Sequence, residues 1–70
     1  MSHPVINFPD FDTFRENDGT INLYDALTKA QDKEPTEAQA QYLENIITMR
    51  PCKSRQLAAF IIATLIYFDR

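Results

Sequence analysis

The side chains best suited to chemistry are few, and most sit close together. Cys52 is the single cysteine, placed between Pro51 and Lys53 with Arg50 and Arg55 near it in sequence. Neighbouring cations and a helix start lower a thiol's pKa and favour the reactive thiolate. Against that, no second cysteine is present to resolve an oxidised sulfur, so the expectation is a structural cysteine at a turn. His3 is the only histidine and stands beside Pro4 near the N-terminus. With one His and one Cys, a zinc site would need several carboxylates in place of the usual nitrogen and sulfur ligands. The expectation is a chain that is not an enzyme, with no catalytic residue, no metal ligand set and no cofactor.

Oxygen ligands are better represented. The stretch Glu16-Asn17-Asp18-Gly19-Thr20-Ile21-Asn22-Leu23-Tyr24-Asp25 resembles the second half of an EF-hand or dockerin loop. Gly19 matches the sharp-turn sixth position, Ile21 the apolar eighth and Asp25 the closing twelfth, with Asp18, Thr20 and Asn22 as further oxygens. The first position, normally an aspartate, falls on Phe14, which has no side-chain oxygen. A turn at Asn17-Asp18-Gly19 and a helix cap at Asn22 explain the same residues without an ion.

Arg50, Lys53 and Arg55 raise a third chemistry, phosphate contacts from a helix-turn-helix regulator. A recognition helix presents polar and basic side chains to base edges, whereas from Leu57 to Phe68 this chain carries no charge at all. Ten acidic against seven basic residues give a net charge of −3, opposite to the surplus a nucleic-acid binder carries. A nucleic-acid partner is therefore not the first expectation.

These residues must be positioned by a small body. Seventy residues make one domain, residues 1–70, with a core too small to leave much margin of stability. Apolar residues at 44% and charged residues at 24% are globular usage, which excludes wholesale disorder. The lone cysteine excludes a disulfide framework and suits a reducing compartment. The N-terminus lacks the basic and apolar regions of a secretory signal. The uncharged run Leu57–Phe68 is shorter than the roughly 20 residues a membrane span needs, so the expectation is a cytoplasmic chain with no membrane partner.

Three helices are expected after an irregular aromatic arm over residues 1–20. In the arm, Asp10 can cap a turn from Phe11 to Asn17 that Gly19 stops, with Phe8, Phe11 and Phe14 on one side. The first helix spans residues 22–33, with Asn22 as N-cap and Leu23, Ala26, Leu27 and Ala30 as its buried stripe. The second spans 36–50, opened by a Thr36/Gln39 capping box and closed by Arg50-Pro51; its stripe is Ala40, Leu43, Ile46 and Ile47. The third spans 54–68 and is apolar nearly all round, which places it at the centre of the fold with surface left over for a partner.

The fold class expected is all-α, a small three-helix bundle or hairpin. The function expected is a non-enzymatic protein–protein interaction module: a regulator, inhibitor or adaptor of the size found among phage and plasmid accessory proteins. Phe8, Phe11, Phe14, Leu57, Phe60, Ile61 and Tyr67 are its candidate interface, and a homodimer or a place in a larger complex its expected state. Seven acids against three bases in residues 1–34, a net of −4, supply either solubility or attraction for a basic partner surface.

Overall fold

A computed structural model describes residues 6–68, so His3 and the last two residues lie outside it. The architecture is all-α: a short 3-10 turn at Phe11–Phe14, then α1 (Leu23–Gln31), α2 (Glu37–Met49) and α3 (Arg55–Phe68). Among the described residues, extended pairing is confined to one isolated antiparallel bridge, Arg15 with Ile21.

Local capping chemistry sets the start of each element. The Asp10 carboxylate accepts from the Asp12 N–H at 3.1 Å, and the Asn22 amide oxygen accepts from the Asp25 N–H at 3.2 Å. At α2 the capping box is complete. Thr36 Oγ1 accepts from the Gln39 N–H at 3.1 Å, and Gln39 Oε1 accepts from the Thr36 N–H at 2.9 Å. Ser54 Oγ accepts from the Leu57 N–H at 3.3 Å in the first turn of α3. Each such bond satisfies an amide that a helix end leaves without a partner.

The ends differ somewhat from the sequence expectation. α1 stops at Gln31, because Asp32 takes the left-handed conformation (φ 57°) that an Asp tolerates better than a bulky residue. α2 stops at Met49, with Arg50 extended ahead of Pro51. The arm's turn is four residues long, since Arg15 leaves it to pair with Ile21.

The core joins Leu23, Ala26, Leu27 and Ala30 of α1 to Leu43 of α2 and to Ala58, Ile61, Ile62 and Leu65 of α3. Phe11, Ile21 and Cys52 close it from the loops. The sequence places α3 at the centre; in the structure the centre is α1, which packs against the 3-10 turn, α2 and α3, while α2 and α3 scarcely touch. Two small residues, Ala26 and Ala30, let neighbours approach α1 closely. The large aromatics of α3 point away from it. Since α2 packs mainly on α1, its buried strip is narrow: Gln39 and Leu43 are covered, Ala40 and Ile46 partly, and Ile47 is exposed.

Candidate functional site

Two assemblies contain the residues singled out by the sequence. The first is a clasp between the arm and the α2–α3 connection. The Arg15 guanidinium contacts Asp12 Oδ1 through Nε at 3.1 Å and Nη2 at 2.9 Å. Its Nη1 donates to the Gly19 carbonyl at 2.6 Å and to the Lys53 carbonyl at 3.0 Å. Beside it, the Ile21 N–H donates to the Cys52 carbonyl at 2.8 Å and the Asn22 N–H to the Phe14 carbonyl at 2.8 Å. Arg15 thus ties three backbone segments together with one planar fork of donors. Its acidic partner three residues earlier, Asp12, is the one trace of this role in the sequence.

The three cations offered as phosphate contacts do not form a common surface device. Arg55 Nη1 lies 3.5 Å from Asp12 Oδ2, so Asp12 bridges it to Arg15. Lys53 contributes its carbonyl to the clasp, and Arg50 is the exposed C-cap of α2. The helix pair a helix-turn-helix requires is the pair that scarcely touches.

The calcium-like stretch is a tight hairpin turn. The Glu16 N–H donates to the Thr20 carbonyl at 2.7 Å and the Gly19 N–H to the Glu16 carbonyl at 2.9 Å. Gly19 sits at φ 88°, where an L side chain is strained. Asp18 Oδ1 accepts from both the Thr20 hydroxyl (2.6 Å) and the Thr20 N–H (3.0 Å), and these bonds hold its carboxyl below the usual carboxylate range. The Asn22 oxygen caps α1. Turn and cap therefore engage the Asp18, Thr20 and Asn22 side-chain oxygens that an ion would need. Among the described residues no group of three His, Cys, Asp or Glu is arranged to hold a metal.

Cys52 is the opposite of an activated thiol. It is 2% exposed, its Sγ donates toward the Ser54 carbonyl at 3.6 Å, and burial pushes its pKa up, with the Arg15 charge opposing more weakly. A stability consequence follows from the sign. The folded thiol keeps its proton to higher pH than the unfolded one, so its contribution is complete below about pH 8.5 and is lost as pH rises through the folded value. Denaturant unfolding of the wild type and Cys52→Ala between pH 7.5 and 10.5 should show their stability difference shrinking as pH rises. A difference independent of pH would refute this assignment. Subtracting the variant removes every contribution that the two proteins share.

The second assembly is the outer arc of α3. Phe60 (70% exposed), Tyr67 (50%) and Phe68 (79%) lie there beside half-buried Leu57. Other members of the expected interface belong elsewhere. Phe11 and Ile61 are core residues, at 6% and 5% exposure, and cannot reach a partner without unfolding. Phe14 is half-buried against the core, and Phe8 is exposed with its ring 6.2 Å from that of Phe11. The periodicity of the arm marks these rings as apolar anchors without saying which of them the core absorbs. The described part of the arm runs beside the Ala59 flank of α3, where Pro9, Asp10 and Phe11 line an open groove with Arg55, Gln56 and Ala59, and Phe60 stands exposed.

No helix among the described residues is long and apolar enough to cross a membrane. No family model matches the chain, and neither a curated protein nor a solved structure matches it.

Proposed function

We propose that this chain is a non-enzymatic protein–protein interaction module, acting as a regulator, inhibitor or adaptor, and that the outer arc of α3 is its contact surface. One observation carries the reading: Phe60, Tyr67 and Phe68 stand exposed on one side of a helix that bears no charge after Arg55 and whose other side is packed in the core. Aromatic side chains gathered on one patch are the residues that dominate association energies, and water is a poor medium for them.

The test is capture from native cell extract on immobilised protein. Phe60→Asp, an exposed position, should leave the helical circular dichroism and unfolding midpoint within the range of surface substitutions, about 0.5 kcal/mol. It should reduce specifically retained protein at least tenfold, because a carboxylate would be buried unpaired in the contact. An unchanged set of captured proteins would sink the proposal.

A further inference from the structure

We infer that the occupant of the α3 arc is a second copy of this chain, packed antiparallel about a two-fold axis that passes beside Thr64. The inference rests on reading the arc as a protein contact surface and adds what covers it.

Spacing is the first argument. Phe60, Thr64 and Phe68 recur every four residues on one face, with Leu57 and Tyr67 flanking them. An axis at Thr64 maps residue 60 onto residue 68. Phe60 then meets the partner's Phe68, and Phe68 meets the partner's Phe60, so both rings are covered by one symmetric operation. A smaller residue lies at the crossing, where two helices approach most closely.

Polar satisfaction is the second. Thr64 Oγ1 already donates to the Phe60 carbonyl at 2.9 Å, so the hydroxyl at the proposed axis carries no unspent proton into an apolar contact. Leu57 to Phe68 bears no charge, so an antiparallel copy brings no like charges together across this run.

Area is the third. At roughly 200 Å² per aromatic side chain, the exposed fractions of Phe60, Tyr67 and Phe68 amount to about 400 Å² per copy. Leu57 and the half-buried neighbours raise this to about 500–600 Å². Two copies thus bury about 1,000–1,200 Å² in all, at the lower limit of specific interfaces and consistent with a dimer in exchange with monomer.

Light scattering on a size-exclusion column, over a hundredfold range of concentration, should show mass rising from monomer to dimer. Phe60→Asp should shift that transition at least tenfold higher in concentration while the circular dichroism is unchanged. The geometry is tested by oxidative cross-linking, with buried Cys52 left in place. Thr64→Cys should give a disulfide-linked dimer on a non-reducing gel. Leu57→Cys should not, because seven residues from the axis its two copies are about 20 Å apart. Cross-linking at Leu57→Cys, or a dimer that Phe60→Asp leaves intact, would overturn the inference. A monomer at every concentration would also overturn it while leaving the contact surface itself to stand or fall by capture from extract.

Discussion

Leu27→Ala is expected to unfold most of the protein at physiological temperature. Leu27 is 0% exposed on α1, the helix against which every other element packs. Truncating a buried leucine removes its transfer energy and leaves a cavity, together about 2–5 kcal/mol. A core of this size supplies little more, with total stability of roughly 3–5 kcal/mol expected for so short a chain. Ile47→Ala on α2, 38% exposed, is the matched control and should cost less than about 1 kcal/mol. Urea unfolding followed by circular dichroism distinguishes the two. Equal shifts for Leu27→Ala and Ile47→Ala would mean that α1 is not the hub.

Gln39→Ala should be nearly as damaging, although it removes only a polar side chain. Gln39 is 2% exposed and holds two roles at once. Its oxygen completes the α2 capping box on the Thr36 N–H, and its amide faces that of Gln31 in a reciprocal pair, 3.0 Å in each direction. Alanine leaves the Thr36 amide and most of the Gln31 amide without partners; Gln31 Nε2 keeps only long contacts to the Lys33 and Glu34 carbonyls, at 3.3 and 3.4 Å. Stranding these half-buried polar groups costs about 2–3 kcal/mol, against about 1 kcal/mol for Thr36→Ala, which loses the cap alone. The double variant should cost less than the sum, since both single changes break the same box. Strict additivity, or a loss for Gln39→Ala no larger than that for exposed Gln41→Ala, would show that the pair contributes nothing.

The contrast between these two residues shows what the sequence makes legible. Helix starts are readable because their chemistry is local: Asn22 and Thr36 cap amides three residues away, and the caps form as the residue types require. The buried stripe of α1 is readable because spacing alone defines it. What covers a stripe is another matter. α3 is apolar nearly all round, so its composition marks no inner or outer face, and the choice of α1 as hub comes from Ala26 and Ala30 admitting close neighbours. Gln39 is recognisable as a capping residue, but its pairing with Gln31 crosses two helices and has no sequence signature. The role of Arg15 is hard to read from sequence for a related reason. Two of its partners are the carbonyls of Gly19 and Lys53, and backbone acceptors look alike at every position. Of the expected interface, Phe60 and Tyr67 are exposed and Phe11 and Ile61 are core, a division that depends on where the arm docks.

The bond from Arg15 to the Lys53 carbonyl spans 38 residues, and the excursion between its ends contains the whole of α1 and α2. Small helical proteins fold fast because their contacts are near neighbours in the chain. Here a 38-residue segment must be closed before the clasp repays the lost entropy. The protein therefore combines the composition of a rapid-folding bundle with a closure between arm and α2–α3 connection that raises the mean sequence separation of its contacts.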